Sequence, residues 1–385
     1  MSQYEIGKNL VVNRLSENDF VHLQPEWQRL LTHSAADPLF MSWAWLYSWW
    51  EVWAGPYALE LVLLGVYERD TGQLVGLAPM YRNESRSFGA MKIRRLQFIG
   101  NSWRIGPSVR TEYTGLIALS GREVDVALTI SGFLRKMVWD ELVISDSSDR
   151  AAGEFGEALV QDGNIVSLIR SEAKGIRIDT TGSFEKWVGQ LGPNTRVKAI
   201  NRQAFFETEL KGSCHRYEPD TEAYTGFFER LNRFHNERWG KPCFDERAVD
   251  FHLSLLKRLD EGQSPELSQL ISGQEIVSVL YDVRAGGRIY NLQSGFDETL
   301  HKKLSVGTLH LGYAISHAFG ERDVECYDLL AGYGKNTFYK AKFKGEEVEF
   351  TTIEFVRSPL LKLVYRFQGT LPQGLKRRIN RVFRL

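Results

Sequence analysis

Residues 289–319 read IYNLQSGFDETLHKKLSVGTLHLGYAISHAF, and this stretch decides the fold. Residues 289–296 have the β-branched and aromatic content of a strand, and the apolar run from Thr308 to Phe319 predicts a helix. The segment 301–308 between them brings two lysines, a serine and a glycine to the start of that helix. A loop that ends at a helix N-terminus holds anions, because free backbone N–H groups and the helix dipole converge there. The stretch therefore predicts a phosphate site, although serine and glycine also cap helices that bind no ligand.

The elements around this stretch form one half of a repeated pattern. In the second half, helices precede a hairpin, a third strand, a helix and a buried strand, predicted at 222–238, 248–259, 267–271, 276–284, 289–296, 308–319 and 325–330. In the first half, the same order is predicted at 40–53, 60–68, 74–81, 96–99, 113–119, 124–138 and 139–144. Both hairpins contain Gly-Gln before an aliphatic strand, at Gly72 and Gly273. We interpret the repeat as an old duplication, with chance as the competing explanation for so short a match.

The length of 385 residues predicts two or three domains, because a single core of this size is unusual. Residues 179–183 (DTTGS) read as a connector that caps a helix beginning near Phe184. We therefore predict an N-terminal domain at residues 1–175, a C-terminal domain at 176–350 and a basic tail at 351–385.

Composition excludes several classes of protein. Lys plus Arg and Asp plus Glu are both 48, so the net charge gives no signal for nucleic acid. The three cysteines form no C-x-x-C pair, which argues against a disulfide or zinc site and favours a reducing cytoplasm, with no metal expected. No apolar run reaches the roughly 18 residues of a membrane span, and Glu5 and Lys8 argue against a signal peptide.

The tryptophan-rich segment 40–53 has the spacing of a buried stripe, which favours a core helix over an interfacial one.

Several motifs, taken in order, resemble a known family. They are FHNERW at 234–239, YNLQSGFD at 290–297, SVGTL at 305–309, YDLLAG at 327–332 and FYK at 338–340. Together they resemble the GNAT-superfamily acyltransferases found with bacterial cellulose and exopolysaccharide synthesis genes, which are relatives of the Fem-type peptidyltransferases. The aromatic helix 40–53 is similar to the N-terminal signature of that family, so the resemblance spans roughly residues 38–345.

The resemblance implies an α/β (α+β) fold with tandem GNAT-like domains, each a mixed, mostly antiparallel sheet flanked by helices. It also implies that the C-terminal domain binds acetyl-CoA or another acyl-CoA as co-substrate. The residues that would hold it are Lys303, Ser305, Val306, Gly307, Thr308 and Leu309. This loop has one glycine where two small residues are usual. A longer acyl-CoA, an acyl carrier protein or an aminoacyl-tRNA therefore stays open as the donor.

Acyl transfer from a thioester to an amine needs a base, donors for the oxyanion and an acid for the thiolate. The expected base is Asp297, Asp328 or His235, and the expected oxyanion donors are backbone N–H groups of residues 294–296. The resemblance implies a tyrosine acid after the last strand, with Tyr339 ahead of Tyr333, and a tyrosine packed in the core is the alternative. Each of these bases has a structural alternative. Asp297 caps a turn, Asp328 forms an ion pair with a lysine, or His235 has a purely structural role.

Four further residues are predicted to contact the acceptor: Arg238, Trp239, Gln293 and Lys340. A surface salt bridge is the simpler explanation for the two cations.

The C-terminal segment has a separate pattern. From Phe355 to Leu385 there are eight Lys and Arg residues and no acid, interleaved with apolar residues. The pattern predicts either a peripheral contact with an anionic membrane through residues 357–385, at the inner face, or an ordinary packed helix with a solvated face.

Three functions compete at this point. The first is an N-acyltransferase acting on a small-molecule or glycan amine, where the resemblance implies an amino sugar of cell-envelope or exopolysaccharide synthesis. The second is a Fem-type transferase that uses aminoacyl-tRNA, and only this function would make nucleic acid a partner. The basic patch from Arg196 to Lys211 favours it slightly. The third is a non-catalytic binding protein that keeps the GNAT fold.

Overall fold

A computed structural model describes residues 9–87, 91–161, 163–218, 221–332 and 339–370. The chain divides into two compact units. Unit 1 comprises the described residues up to Glu172 and those from Phe350 onward, and unit 2 comprises those from Ala173 to Glu349. Tyr333 and the tail beyond residue 370 lie outside the described residues.

The strands of the described residues are, in chain order, β1 (Leu10–Leu15), β2 (Glu60–Glu68), β3 (Leu74–Ser87), β4 (Met91–Phe98), β5 (Ile117–Ala118), β6 (Glu141–Ser148), β7 (Val166–Asp179), β8 (Gly212–Arg216), β9 (Gln263–Ser272), β10 (Glu275–Ala285), β11 (Arg288–Phe296), β12 (Cys326–Gly332) and β13 (Glu346–Val356).

The helices are α1 (Glu17–His22), α2 (Gln24–Thr32), α3 (Trp43–Trp53), α4 (Glu123–Lys136), α5 (Asp149–Val160), α6 (Phe184–Gln190), α7 (Pro193–Arg196), α8 (Arg202–Glu209), α9 (Thr221–Trp239), α10 (Glu246–Arg258), α11 (Val306–Gly320) and α12 (Pro359–Thr370), with a π-helical turn at Val197–Asn201.

Unit 1 is built on a mixed sheet in the order β1-β2-β3-β4-β6-β13. The first four strands are antiparallel, β6 runs parallel to β4, and β13 lies antiparallel beside β6. Helices α4 and α5 bury their apolar residues with one face of the sheet in a single core cluster. The segment predicted as the start of a tail therefore begins as a strand of unit 1. Of the strand predicted at 113–119, only β5 forms, and Tyr113 has a φ of 54°.

The tryptophan-rich helix α3 is a core helix, as its spacing predicts. The side chain of Ser42 caps its N-terminus by accepting from the N–H of Trp45. All five of its tryptophans are buried, and the Trp49 ring stacks on Tyr81 of β3 at a centroid distance of 5.8 Å. Burial of so many large rings makes α3 a main source of apolar stabilisation in unit 1.

Unit 2 repeats this plan with the strand order β7-β12-β11-β10-β9-β8. Strands β8 to β11 are antiparallel, β12 runs parallel to β11, and β7 lies antiparallel beside β12. Helices α9 and α10 pack through Phe228 and His252 against Tyr281 of β10. Helix α11 buries its apolar residues with β11 and β12 in a separate cluster, on the other face of the sheet.

The two units also share an irregularity. In unit 1 the second strand of the parallel pair, β6, has a register shift against β13 and a left-handed residue, Asp146, with a φ of 48°. In unit 2 the corresponding strand has the same shift and Leu330 with a φ of 58°. The common strand order and the common bulge confirm the architecture of the predicted fold class: two tandem α/β domains, each with a mixed, mostly antiparallel sheet flanked by helices.

Among the described residues, no helix combines the length and the apolar content that crossing a membrane would require.

Candidate active site

The candidate site of unit 2 lies where its two parallel strands part. β11 and β12 pair at three positions, from Arg288 with Cys326 to Tyr290 with Asp328, and the pairing ends there. Residues 291–294 of β11, beyond that point, are all partly exposed although they follow two fully buried positions. A central strand that loses its neighbour leaves backbone N–H and C=O groups open to a ligand.

Asp328 and Lys340 shape the bulge of β12 that accompanies this parting. The Asp328 carboxylate, fully buried, accepts from the N–H of Leu330 at 2.8 Å and pairs with Arg177 at 3.4 Å. The Lys340 ammonium donates to the carbonyls of Leu329, Leu330 and Ala331. These contacts satisfy backbone groups that the bulge removes from the ladder. The contacts seen are structural, and the roles of base and acceptor contact stay predictions for these two residues.

Ser294 is the residue of β11 whose backbone is best placed for chemistry. Its N–H donates to Oε1 of Gln293 at 3.0 Å, and its carbonyl accepts from Nε2 of His235 at 2.9 Å. Both backbone groups therefore bond to side chains. The Gln293 side chain can rotate away, so the N–H of Ser294 is available to a carbonyl oxygen of a ligand.

The N-terminus of α11 begins at Val306, two residues earlier than predicted, and Ser305 is its N-cap residue. No side chain caps this end of the helix. Within the described ranges, the N–H groups of Val306, Gly307 and Thr308 have no hydrogen-bond partner. Three unpaired N–H groups at the positive end of a helix of 15 residues favour an anion.

Gly307 is required at this position by packing. A Cβ built on Gly307 would lie 2.3 Å from the ring of Phe296, at the end of β11. The glycine thus lets the end of the strand and the first turn of the helix approach closely. The neighbouring Leu309 is fully buried, and its N–H donates to the carbonyl of Ser305 at 2.9 Å.

Tyr339 completes a group of hydroxyls at this helix end. Its hydroxyl donates to Oγ1 of Thr308 at 3.1 Å, and Oγ1 lies 2.9 Å from the Ser305 hydroxyl. Burial raises the pKa of Tyr339 to about 12, so the phenol stays protonated near neutral pH. It can therefore act as a proton donor but not as a base.

His235 lies on α9 beside β11. Because its Nε2 faces a carbonyl, that nitrogen carries the proton and Nδ1 keeps its lone pair. Burial, with a smaller contribution from Arg238, lowers the pKa of His235, so the ring is neutral near pH 7. Within the described part of the chain, Nδ1 has no hydrogen-bond partner, which leaves a basic nitrogen available.

Arg238 and Trp239 form an aromatic and cationic patch at the end of α9. Trp239 is 53% exposed, and the Arg238 guanidinium lies 4.2 Å from its ring centroid and 4.9 Å from that of Phe296. Arg238 also pairs with Glu298. The His235 ring lies 4.6 Å from the Trp239 ring, so the exposed part of the indole lies beside both Arg238 and His235.

Two predicted residues lie in local turns. Asp297 accepts from the N–H and the hydroxyl of Thr299, both at 2.7 Å, which is the turn-capping alternative. Lys303 is exposed, with its ammonium 5.3 Å from the ring centroid of Phe205. The structure brings His235, Gln293 and Ser294 together, but Asp297 is engaged elsewhere.

Two buried polar groups of unit 2 were not predicted from the sequence. Asp282 on β10 accepts from Asn291 and from Tyr327, both at 2.7 Å, and burial raises its pKa to about 7. His310 on α11 lies between the hydroxyls of Ser268 and Ser278 at 3.0 Å and 2.8 Å. The sequence signal that could have found both groups is a single ionisable residue within an otherwise apolar strand or helix.

The equivalent gap in unit 1 is filled by the chain itself. Beyond the pairing of Gln97 with Val143, the Arg110 guanidinium binds both carboxylate oxygens of Asp146 at 2.7 Å. The hydroxyl of Ser147 donates to a carbonyl of the same connecting segment at 2.6 Å. The first turn of α4 also carries two acids, Glu123 and Asp125, which disfavour an anion. An open site of this kind is therefore a feature of unit 2.

Among the described residues, no group of three or more His, Cys, Asp or Glu side chains could hold a metal ion.

Residues 198–341 match a family model described as an acetyltransferase (GNAT) domain. Over these residues, unit 2 is similar to a GNAT acetyltransferase domain. The match includes β11, α11 and β12, so it covers every element of the candidate site. No curated protein sequence matches the chain.

Two solved structures extend the likeness to the whole chain. FemX aligns with 92% of this chain and 99% of its own, with a TM-score of 0.60 and 10% identity. The C-terminal DUF2156 domain of a candidate lysylphosphatidylglycerol synthetase from Agrobacterium fabrum aligns with 92% of this chain and 97% of its own, with a TM-score of 0.52 and 8% identity. At these identities the likeness shows the fold alone, and it includes both units.

Proposed function

We propose that unit 2 transfers an acyl group from an acyl-CoA or another acyl thioester to an amine, between β11 and β12. The observation that carries the proposal is the end of strand pairing after Tyr290 and Asp328, together with unpaired N–H groups at the start of α11. The unpaired end of β11 offers backbone N–H groups to the acyl carbonyl, and the start of α11 offers them to a phosphate of the acyl donor. The match to an acetyltransferase domain supports the same reaction class.

The donor would be held first at α11. The N–H groups of Val306, Gly307 and Thr308 suit a pyrophosphate, and the exposed ammonium of Lys303 adds a positive charge nearby. The Ser305 hydroxyl lies at the same end of the helix and can donate a further hydrogen bond.

The carbonyl of the thioester would be polarised by the N–H of Ser294. This N–H donates to Gln293 Oε1 in the free protein, so the amide oxygen of Gln293 marks where an acyl oxygen would lie. A fixed backbone donor stabilises the oxyanion of a tetrahedral intermediate without reorganising during the reaction.

Proton transfer is assigned to two side chains. His235, neutral and with Nδ1 unprotonated, would accept a proton from the acceptor ammonium. The attacking amine then forms the C–N bond, and its nitrogen loses its remaining surplus proton to solvent. The C–S bond breaks, and Tyr339 donates its proton to the departing thiolate. The proton taken up by His235 returns to solvent, and a proton from solvent restores the tyrosine.

The acceptor would be an amine on a ring. The exposed part of the Trp239 ring, beside the Arg238 guanidinium, suits a sugar ring with an anionic substituent. An amino sugar of cell-envelope or exopolysaccharide synthesis is the proposed acceptor class, and it rests on the family resemblance together with this patch.

A donor of the aminoacyl-tRNA type is the second candidate, but the basic patch that favoured it is partly occupied. The Arg196 guanidinium donates to the carbonyls of Val188, Gly189 and Leu191 at 2.9 to 3.1 Å. This arginine holds the end of α6 in place.

Val306→Pro tests the donor site directly. Proline fits the first position of a helix but removes its N–H, so the helix is kept and one anion donor is lost. We expect CoA thioesters to raise the melting temperature of the wild type, and the variant to bind them about tenfold to a hundredfold more weakly, the value of one charge-assisted hydrogen bond. Glu246→Pro, at the first position of α10, is the matched control and should bind as the wild type does.

Equal affinity of the two proline variants would contradict the donor site. A stabilisation by charged tRNA but by no CoA thioester would favour the Fem-type reaction. No stabilisation by any donor would favour a non-catalytic binding protein.

Tyr339→Phe tests the acid. Removal of the hydroxyl should lower kcat by about a hundredfold, the usual value of a general acid, and leave donor affinity nearly unchanged. A variant with an unchanged kcat would exclude Tyr339 as the proton donor.

A further inference from the structure

Helix α12 of unit 1 has apolar residues on two separate faces. Its inner face is formed by Leu361 and Tyr365, which are 1% and 7% exposed and pack in a core cluster with Ile93 and Val356. The Tyr365 hydroxyl also donates to the buried carboxylate of Glu141. These contacts fix the rotation of the helix, so its remaining faces have defined orientations.

The outer face carries a stripe of apolar side chains that are each more than half exposed. Leu360, Leu363 and Phe367 are 53%, 51% and 62% exposed, and their spacing of three and four residues places them on one side of the helix. They are three of the ten large hydrophobic residues found exposed among the described residues. Such a cluster on a fixed helix marks an interaction surface, whereas single exposed residues do not.

The charge along this helix and the sequence after it has one sign. Lys362, whose ammonium donates to the carbonyl of Asn164, and Arg366 lie on a third side of the helix, and residues 371–385 of the sequence contain five Lys and Arg residues and no acid. The whole chain has a net charge of zero, so this end is locally cationic against a neutral background. An apolar stripe beside a cationic segment matches the two layers of an anionic lipid surface: acyl chains below and phosphate groups above.

We propose that the outer face of α12, with the basic segment after it, docks unit 1 on an anionic membrane surface. The stripe of Leu360, Leu363 and Phe367 enters the interface, and the cations beside it contact lipid phosphates. RNA would be attracted by the same cations, but it offers no place for aliphatic side chains. The proposal concerns unit 1 alone and is independent of the acyl-transfer chemistry proposed for unit 2.

Vesicle co-sedimentation of the full chain tests the proposal without any acyl donor. Vesicles of phosphatidylcholine with about a third phosphatidylglycerol are compared with phosphatidylcholine alone, at low salt and at about 1 M salt, where screening is strong. We expect the protein to bind the anionic vesicles at low salt. The bound fraction should be at least about tenfold lower with neutral vesicles, and at least about tenfold lower at high salt.

The apolar part is tested with Leu360→Ser combined with Leu363→Ser. Because both side chains are about half exposed, the variant should keep the circular dichroism spectrum of the wild type. Its partition onto anionic vesicles should fall about tenfold or more, since two leucines no longer enter the interface. Val124→Ser combined with Val138→Ser removes two side chains of unit 1 that are 54% and 56% exposed, and it should bind as the wild type does.

The basic part is tested with Arg377→Glu combined with Arg378→Glu, which should weaken binding to anionic vesicles and reduce its salt dependence. Equal partition of the leucine and valine variants would overturn the proposal. So would equal binding to neutral and anionic vesicles, or salt-dependent binding to an RNA oligonucleotide with no binding to vesicles.

Discussion

Asp282 makes unit 2 less stable as pH rises, and the size of this effect can be worked out. Its carboxyl is buried in the sheet and accepts hydrogen bonds from two neutral donors, Asn291 and Tyr327. Burial raises the pKa of Asp282 from an ordinary 3.8 to about 7, because its two hydrogen bonds and the more distant Arg216 only partly offset the lost hydration.

The sign follows from proton linkage. In the unfolded chain Asp282 loses its proton near pH 4, whereas in the folded protein it keeps the proton up to about pH 7. The contribution of this group to stability is therefore fully present below about pH 4 and is lost as the pH rises toward about 7. At about 1.4 kcal/mol for each unit of pKa, the loss is on the order of 4 kcal/mol, of which about 3 kcal/mol falls between pH 5 and pH 8.

Asp282→Asn removes the titration and keeps the shape of the side chain. We expect the variant to be more stable than the wild type by an amount that grows by about 3 kcal/mol from pH 5 to pH 8. The measurement is urea unfolding followed by circular dichroism across this range, with the midpoint and slope fitted separately. Asp323→Asn, at a side chain that is 91% exposed, is the control and should show no such growth.

A difference between Asp282→Asn and the wild type that stays constant with pH would refute the reasoning. It would mean that Asp282 is charged in the folded protein at all these pH values and that its two hydrogen bonds balance the cost of burial.

Two further predictions concern packing in unit 2. Gly312→Ala should destabilise it by about 3 kcal/mol or more, because the new Cβ would lie 2.0 Å from the carbonyl oxygen of Ala199. Gly320→Ala on the same helix meets open space and should be nearly neutral. Thermal unfolding of the two variants checks this prediction, and equal melting temperatures would contradict it. Lys340→Met leaves three carbonyls of the β12 bulge without their shared donor, and it should lower the free energy of unfolding in urea by about 3 kcal/mol. Lys342→Met, at an exposed lysine, is the control and should change it almost not at all. Similar losses in both variants would show that the bulge does not depend on Lys340.

Much of the fold could be predicted from the sequence because it depends on local periodicity. The spacing of the tryptophans predicted α3 as a core helix, and the strand, loop and helix of residues 289–319 were predicted in the right order. The repeated order of elements predicted two domains of one plan. The start of α11 was predicted two residues late, because a capping serine without a side-chain cap bond leaves a weak signal.

The candidate site could be predicted less fully, since residue type does not state which partner a side chain finds. Asp328 was predicted as a base and Lys340 as an acceptor contact. In the structure both bond to the backbone of the β12 bulge, and Asp328 also pairs with Arg177. His235 was predicted as a base among alternatives, and its contact with the carbonyl of Ser294 shows which nitrogen carries the proton.

The sequence by itself determined the elements of this protein, their repeated order and the cationic character of its C-terminal end, because these depend on residue type and on spacing within a few positions. Only the tertiary structure decided that the gap beside β12 is open in unit 2 while its counterpart in unit 1 is filled by Arg110 and the segment around it. The reason is physical: strand divergence and gap filling depend on contacts between residues far apart in the chain, and no local pattern records them.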